Sequence, residues 1–323
     1  ESIEGIDAIV FNCGIGPGHM QQIMSKLQLS GKHFITALPN AGYPHVVSNR
    51  MVFDHRNVDY FVEKVNDIAR AGADIIGGCC GTTPEYIAAL KEKTKDVIPK
   101  PIEKKKIKLV SSYTRAVVFG KSPVLIGERI NPTGKPRFRE ALIKGDIDYL
   151  LREAIGEEDA GADILDVNVG VPGICEAELL PQVISRIQEV TDLPLQIDTA
   201  DPVAMERALR LYNGKPMLNS VNGKAESMAA IFPLVKKYGG AVVCLTLDEK
   251  GIPKTAEERL AIAQKILKEA DKYGIGPENL IFDTLAMAVS ADKNAAKETL
   301  SGIKLISDNT AGCTSPSHKL GAF

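Results

Sequence analysis

Two adjacent cysteines, Cys79 and Cys80, lie in the glycine-rich segment 77–84, directly after an apolar run. Neighbouring side chains on a regular strand point to opposite faces, so these thiols can share a target only where the strand has ended. The flanking glycines permit such a break because glycine adopts backbone conformations that other residues avoid. A bare Cys-Cys pair is otherwise most simply two buried, inert thiols or a vicinal disulfide.

A third thiol, Cys13, follows the first predicted strand of the chain, whereas Cys79 and Cys80 follow the third. The carboxyl ends of strands in a parallel barrel open on one face, so the three thiols are expected to meet there. Three thiolates leave one position of a tetrahedral zinc ion open, as in catalytic zinc sites, and sulfur ligands disfavour magnesium and calcium. The spacing therefore predicts a zinc site formed by Cys13, Cys79 and Cys80.

The elements that position these thiols form a repeated pattern of apolar strand, functional loop and helix. Strands are predicted at 6–11, 33–38, 73–76, 124–126, 164–167, 194–197, 216–218, 241–245 and 280–282. Continuous apolar strands that alternate with helices indicate a parallel sheet covered by helices, either doubly wound or closed as a (β/α)8 barrel. The barrel is favoured because polar or thiol residues follow nearly every strand and no Gly-x-Gly-x-x-Gly turn follows the first.

The number of strands predicts two incomplete barrels. A complete barrel needs about 250 residues, so a chain of 323 cannot hold two. We predict two (β/α)8 TIM-type barrels: the first has only its last three strand–helix units, and the second is truncated near its C-terminal end. The predicted domains are 1–100, a linker and hairpin at 101–120, and 121–323. The hairpin is expected to turn at 120–122, and no strand is predicted after Ile306. The segment 71–76 recurs as 160–165, which supports one architecture in both halves.

Composition excludes several classes of partner. Lysine and arginine (39) nearly balance aspartate and glutamate (41), which gives no electrostatic case for binding nucleic acid or an anionic membrane. No apolar run has the length of a membrane span, and the first residues do not form a signal peptide. The six cysteines do not have the spacing of a small disulfide-rich scaffold. This favours a metal-binding or catalytic use of the thiols in a reducing compartment. We therefore expect a cytoplasmic protein with small-molecule partners.

A second set of polar residues follows the strands of the C-terminal half. Each alone is typical of a helix N-cap or a turn, but six successive strand ends carry one. These strand-end groups are Glu128, Asn131, Asp166, Asn168, Asp198, Asn219, Asn222, Asp248 and Asp283. Carboxylates and amides match the paired donors and acceptors along the edge of a pterin ring, whereas a metal needs a tighter ligand set.

The first of two family resemblances covers roughly residues 1–100. Asn12-Cys13, residues 39–42 and residues 77–84 resemble the last three strands of the homocysteine S-methyltransferase family. The resemblance implies that the three cysteines bind zinc and that the homocysteine thiol takes the open position. A cation beside that sulfur favours the thiolate, which is the nucleophile at neutral pH.

The second half resembles the pterin-binding methyltransferase barrel. The resemblance implies pterin contacts by Glu128, Asn131, Asp166, Asn168, Asp198, Asn219 and Asp283. The order of the two halves resembles the family of cobalamin-dependent methionine synthases, of which the chain is identified as an internal piece. This implies methyl transfer from 5-methyltetrahydrofolate through cob(I)alamin to zinc-activated homocysteine, giving methionine and tetrahydrofolate. The corrinoid would be bound as methylcobalamin by a module in cis or in trans, because this chain has no Asp-x-His-x-x-Gly signature.

Other functions remain open at this point. One is a pterin-dependent methyltransferase that acts on a separate corrinoid protein, and another is a non-catalytic pterin-binding remnant. Dihydropteroate synthase has the same fold, but the Asp-Ser-Phe that continues its first motif is missing from residues 131–138. The asparagine of the family's seventh strand has no match, and Asn309 is not assigned that role.

Overall fold

Parallel strands alternating with helices build both parts of this chain in the computed structural model. The structure describes residues 8–27, 33–42, 44–53, 57–98, 106–120, 122–286, 294–310, 312–313 and 320–322. Two compact units are present, Glu1–Lys104 and Lys105–Phe323. The predicted linker residues 101–105, and residues 6 and 7 of the first predicted strand, lie outside the described residues.

The first unit contains a three-stranded parallel sheet in the order β1-β2-β5. Its elements are β1 (Ala8–Asn12), α1 (Pro17–Met24), β2 (Phe34–Leu38), β3 (Pro44–Val47), β4 (Arg50–Phe53), α2 (Val58–Arg70), β5 (Ile75–Ile76) and α3 (Pro84–Lys93). These confirm the three predicted strand–helix units. The antiparallel hairpin of β3 and β4 was not predicted, although its turn residues Ser48 and Asn49 both have positive φ and asparagine favours such turns.

The second unit is a curled parallel sheet with helices on one face. It consists of β6 (Leu109–Ser111), β7 (Ala116–Val118), β8 (Val124–Ile130), α4 (Pro136–Lys144), α5 (Ile147–Asp159), β9 (Ile164–Val167), α6 (Glu176–Ile187), β10 (Leu195–Asp198), α7 (Pro202–Leu211), β11 (Met217–Asn222), α8 (Ala225–Tyr238), β12 (Ala241–Leu245), α9 (Ala256–Lys272), β13 (Leu280–Asp283), α10 (Ala295–Asn309) and β14 (Leu320–Ala322). The sheet order is β14-β8-β9-β10-β11-β12-β13. Strands β8 to β13 form a six-stranded half-barrel, as expected for the predicted fold class.

The structure corrects two details of the sequence prediction. The turn of the hairpin, predicted at 120–122, lies at residues 112–115, because β6 pairs with β7. The Ser112 hydroxyl accepts hydrogen bonds from two backbone amides of this turn. The tail does contain a strand, because β14 pairs in parallel with β8. Its composition, Leu-Gly-Ala, is too weakly apolar to predict a strand, so the pairing depends on the neighbouring edge of β8.

The inner face of the half-barrel is apolar at the amino ends of the strands and polar at their carboxyl ends. On the inner face, an apolar cluster at the amino ends of the strands packs against the β6–β7 hairpin. The members of this cluster are Val110, Val117, Phe119, Val124, Ile126, Ile164, Met217, Ala241, Val243 and Ile281. Two residues beyond Ile164, Met217 and Ile281 along their strands are Asp166, Asn219 and Asp283. Because successive side chains alternate, these polar groups share the inner face at the carboxyl ends.

The repeated segment makes the same contact in both units. The Asp74 carboxylate accepts a hydrogen bond from the amide of Ile35, and the Asp163 carboxylate accepts one from Leu125, both at 2.8 Å. In each case a glycine with positive φ, Gly72 or Gly161, ends the preceding helix turn. The sequence echo therefore reflects one local way of joining a helix to a strand. Among the described residues, no helix combines the length and hydrophobicity needed to cross a membrane.

Candidate functional site

Three thiols converge in the first unit beyond the carboxyl ends of β1 and β5. The Sγ atom of Cys80 lies 3.9 Å from that of Cys13 and 4.0 Å from that of Cys79, and all three sulfurs lie within 4.8 Å of one another. Cys79 and Cys80 come after the end of β5, so their side chains are free of strand alternation. The structure thus brings together all three of the predicted zinc ligands.

Backbone hydrogen bonds hold the loops that carry the thiols. The Cys79 amide donates to the carbonyl of Pro39, and the Cys80 amide donates to the side-chain Oδ1 of Asn40 at 3.2 Å. Asn40 is buried, so its amide group is a fixed support for this loop. Glycine is required at two positions: a Cβ on Gly78 would lie 2.1 Å from the Thr82 Oγ1, and Gly81 has φ +78°.

The sulfur spacing fits zinc. Three sulfurs bound at about 2.3 Å to a tetrahedral ion lie about 3.8 Å apart, close to the separations seen here. The amide of Gly14 lowers the pKa of the Cys13 thiol, with further hydrogen bonds from Cys79 and Cys80. The pKa of Cys80 is raised because its thiol hydrogen bonds to Cys13 and Cys79. Cys13 is exposed, so solutes can reach the cluster.

A network of carboxylates and amides occupies the inner face of the half-barrel. The Asp166 carboxylate accepts hydrogen bonds from Gln196 Nε2 at 2.5 Å and from Asn131 Nδ2 at 3.4 Å. Asn168 Nδ2 donates to Asp198 at 2.8 Å. Four of the seven predicted pterin contacts are therefore paired with one another across β8, β9 and β10.

The two aspartates of this network resist ionisation. Burial raises the pKa of Asp166 to about 7, and the nearby charges of Asp198 and Glu128 act in the same direction. Burial also raises the pKa of Asp198, with contributions from Glu128 and Glu176. Glu128 therefore lies close enough to act on both aspartates, and the ammonium group of Lys135 donates a hydrogen bond to its backbone carbonyl.

A cleft of about 370 Å³ opens beside Asp198 at the ends of β10 and β11. Its polar lining includes Asn219, which was predicted, together with Ser220, Asn222 and Lys224. The volume lies in the range of small-molecule pockets. Asp283 takes no part in this network. Its carboxylate accepts a hydrogen bond from the amide of Leu285 at 2.7 Å and has no hydrogen bond to another predicted residue in the described part of the chain.

Comparison with known families gives the following matches. The family model of the pterin binding enzymes matches residues 127–315, which is more than half of the chain and contains the whole carboxylate and amide network. The chain belongs to the pterin binding enzyme family. The family model of the homocysteine S-methyltransferases matches residues 1–94, which include all three clustered thiols.

Two curated relatives of this pterin binding enzyme match along nearly the whole chain. Methionine synthase from Mycobacterium tuberculosis is 29% identical over 93% of this chain and 26% of its own length. Methionine synthase from Mycobacterium leprae is 28% identical, with the same coverage of both chains. The chain therefore spans about a quarter of the length of the curated relatives it matches.

Some solved dihydropteroate synthases resemble this pterin binding enzyme distantly. A dihydropteroate synthase from Xanthomonas albilineans in complex with 7,8-dihydropteroate is 21% identical, with a TM-score of 0.40 over 61% of this chain and 69% of its own. Likeness at this level supports no statement about function.

Several polar residues of the site were missed by the sequence prediction. Gln196 holds Asp166, and Glu176 accepts a hydrogen bond from the Thr199 hydroxyl at 2.5 Å while raising the pKa of Asp198. Gln196 could have been found from alternation, because it stands two residues before Asp198 in a strand that is otherwise apolar. Glu176 has no such signal, since it lies in the first turn of α6 and is brought to the site by the fold.

Proposed function

We propose that this protein acts in the transfer of a methyl group from 5-methyltetrahydrofolate, through cob(I)alamin, to homocysteine, giving methionine and tetrahydrofolate. One observation carries the proposal: a thiol cluster with zinc-like spacing and a pterin-type carboxylate network lie in one chain that is similar to methionine synthases along 93% of its length. The corrinoid would be bound by another module, in cis or in trans.

In this proposal the first unit prepares the nucleophile. Cys13, Cys79 and Cys80 would hold a zinc ion, while Asn40 fixes the loop through the Cys80 amide. A bound zinc ion supplies positive charge that keeps the homocysteine sulfur as a thiolate near neutral pH. Because Cys13 is exposed, homocysteine can reach the cluster.

The second unit would bind and orient the pterin ring. Asp166 and Asp198 can accept hydrogen bonds from ring N–H groups, and the amides Asn131 and Asn168 hold these carboxylates in place. Asp166 exchanges its proton near pH 7, so it can adjust to the protonation state of the ring. The cleft beside Asp198 provides room for the rest of the folate.

The zinc assignment is tested by metal analysis of a Cys79→Ser, Cys80→Ser variant. We expect about one zinc ion per wild-type chain and a loss of most of it in the variant, because one remaining thiolate cannot hold the ion. The matched control is Cys175→Ser, since Cys175 is an exposed thiol outside the cluster. Stoichiometric zinc and full homocysteine methylation in the double variant would contradict the assignment.

The pterin assignment is tested by calorimetric titration with 5-methyltetrahydrofolate. Asp198→Ala should weaken binding by about 10- to 100-fold, because it removes a half-buried carboxylate and leaves the Asn168 Nδ2 group without its acceptor. Asp192→Ala is the control, since this exposed aspartate pairs with Arg115 and precedes β10 rather than following it. Equal weakening by both variants would exclude a specific role for Asp198.

A further inference from the structure

Glu176, in the first turn of α6, contacts both of the loops that adjoin the paired site residues Asn168 and Asp198. Its Oε2 atom accepts a hydrogen bond at 2.5 Å from the hydroxyl of Thr199, the residue directly after Asp198. Its Oε1 atom lies close to Gly170 in the loop before α6, where an added Cβ would come within 3.3 Å of it. A single carboxylate, on a helix that was not predicted to reach the site, therefore joins two site loops.

The contact with Thr199 extends into the turn that follows β10. Thr199 is 4% exposed, and its hydroxyl also accepts a hydrogen bond from the amide of Asp201 at 3.1 Å. Asp201 in turn caps α7, because its carboxylate accepts a hydrogen bond from the amide of Val203 at 2.8 Å. Removing the acceptor of the Thr199 hydroxyl therefore loosens the backbone next to Asp198, which is the last residue of β10.

The contact with Gly170 supports the partner of Asp198. The amide of Gly170 donates to Asn168 Oδ1 at 2.8 Å, while Asn168 Nδ2 donates to the Asp198 carboxylate at the same distance. Both ends of the Asn168 side-chain amide are therefore engaged, which gives this side chain one orientation. Glu176 thus lies against the loops of both members of the pair.

The charge of Glu176 also acts on Asp198. Burial raises the pKa of Asp198, the hydrogen bond from Asn168 lowers it, and the charges of Glu128 and Glu176 raise it further. The charged groups that act on Asp198 or line the cleft beside it are Glu128 of β8, Asp166 of β9, Glu176 of α6, and Lys224 and Glu226 at the start of α8. Among the acidic groups, only Glu176 also has a hydrogen bond to the residue next to Asp198.

We propose that Glu176 is a positioning residue for the pterin ring: through Thr199 it orients Asp198, and its charge sets part of the pH dependence of ring binding. This inference rests on the proposed function, since it takes a reduced pterin as the ligand. The two parts are separable by substitution. Glu176→Gln removes the charge and keeps an oxygen acceptor for the hydroxyl, whereas Thr199→Val removes the hydrogen bond and keeps the charge.

The first test measures the dissociation constant of 5-methyltetrahydrofolate from about pH 5 to 8. Ionised Asp198 is the better acceptor for ring N–H groups, so affinity should fall as the pH falls through its pKa, separately from the effect of Asp166 near pH 7. Glu176→Gln should move this fall to lower pH by about half a unit, because the neighbouring negative charge is gone. Thr199→Val should weaken binding by about 3- to 10-fold at every pH without moving the fall.

The matched control is Glu178→Gln. Glu178 is an exposed acid of the same first turn of α6, so its substitution has a similar effect on the helix, but it is not one of the described groups that shift the pKa of Asp198. This variant should bind 5-methyltetrahydrofolate as the wild type does at every pH. A shift as large as that of Glu176→Gln would mean that any negative charge on α6 has the effect, which contradicts the proposal.

The second test needs no ligand. The carboxyl ¹³C resonance of Asp198, assigned by its absence in Asp198→Asn, gives the titration midpoint of this group in the free protein. Glu176→Gln should lower that midpoint by about half a unit, and Glu178→Gln should leave it unchanged. An unchanged midpoint in Glu176→Gln would overturn the role of its charge, and undiminished binding in Thr199→Val would overturn its role in orientation.

The two tests also separate this inference from the proposed function. If the midpoint of Asp198 moves as expected but wild-type protein binds no 5-methyltetrahydrofolate at any pH, the proposed function is wrong although Glu176 does act on Asp198. If wild-type protein binds the folate and Glu176→Gln has the wild-type pH profile, the proposed function stands and the inference about Glu176 is wrong.

Discussion

Burial makes the Asp166 carboxyl group difficult to ionise. Only 2% of this residue is exposed, and its pKa is raised from 3.8 to about 7 by desolvation first and then by the charge of Asp198. The hydrogen bonds from Gln196 and Asn131 favour the ionised form but do not offset burial. Such perturbed carboxyl groups are typical of functional sites, where a ligand can supply the missing donors.

This pKa has a consequence for stability. Between pH 4 and 7 the folded protein keeps a proton on Asp166 that the unfolded chain has lost, so this group lowers the free energy of unfolding as the pH rises. In Asp166→Asn this dependence disappears. The wild-type free energy of unfolding should therefore fall relative to that of the variant by about 1.4 kcal/mol per pH unit in this interval. Urea unfolding of both proteins at several pH values measures the difference, and a flat difference would contradict the raised pKa.

At the scale of elements, an irregularity in β8 aims Glu128 towards the aspartates. The pairing of β8 with β9 shifts register between Gly127 and Ile130, and the Arg129 amide there donates to the buried carboxylate of Glu157 at 2.7 Å. Gly127 is required beside it, because a Cβ would lie 2.6 Å from that carboxylate. The raised pKa of Glu157, caused by burial, is consistent with this packing. Bulges of this kind commonly redirect a side chain next to a site.

Glu157 is not a predicted pterin contact, but we expect Glu157→Ala to weaken binding at the pterin site. The substitution leaves the Arg129 amide unpaired and should lower the free energy of unfolding by about 1–3 kcal/mol while weakening 5-methyltetrahydrofolate binding. Glu157→Gln keeps an oxygen acceptor for that amide, so it should restore most of the affinity. If Glu157→Gln is as weak a binder as Glu157→Ala, the contact with Arg129 does not position Glu128.

One tyrosine hydrogen bonds to the β6–β7 hairpin beside the bridge between Ser111 and Lys215, which also joins the hairpin to the half-barrel. The hydroxyl of Tyr212 donates to the carbonyl of Ser111 at 2.8 Å and accepts a hydrogen bond from the amide of Leu195 at 3.0 Å. Burial raises its pKa to about 12, so the hydroxyl keeps its proton. The hairpin covers the apolar interior at the amino ends of the strands, opposite the polar site.

Tyr212→Phe should lower the free energy of unfolding by about 1–3 kcal/mol, because it leaves a carbonyl and an amide without a partner. The control is Tyr273→Phe, whose hydroxyl has no hydrogen bond to a described residue although its ring packs on Phe232. Denaturant unfolding of the two variants gives the comparison. Equal loss in both would mean that the two hydrogen bonds of the Tyr212 hydroxyl add no measurable stability.

For the whole molecule, each unit has apolar clusters of its own. Two clusters contain only residues of the first unit, and two contain only residues of the second. The thiol cluster and the carboxylate network are thus supported by different cores. Stability in such a chain is expected to divide between the units.

We therefore expect separate responses to the two ligands. Zinc should raise the free energy of unfolding of one transition and 5-methyltetrahydrofolate that of the other, each by about 2.7 kcal/mol at a free concentration of 100 times its dissociation constant. The midpoint of the corresponding transition should rise with it. Calorimetric scans with each ligand alone and with both test this. If either ligand shifts both transitions equally, the two units unfold as one.

The strand positions follow from local patterns of the sequence. Continuous apolar runs and helical stripes predicted nine strands that the structure contains, because burial of both sheet faces requires such runs. The β3–β4 hairpin and β14 were missed, since short strands with few apolar residues depend on the edges they pair with. The zinc ligands and pterin contacts stay predictions, although the structure brings the three thiols and four of the polar residues together.

The sequence alone determined which residues are candidates for chemistry: the adjacent cysteines between glycines, the distant Cys13 and the polar residues at the strand ends. Residue type and spacing were enough to indicate a metal site and a pterin site. Only the tertiary structure decided the separations of 3.9 and 4.0 Å between the thiols, the raised pKa of Asp166, and the inclusion of Gln196 and Glu176 in the network. These properties depend on burial and on contacts between residues far apart in the chain. Local sequence carries no measure of either, since both arise when the strands pair and the helices cover them.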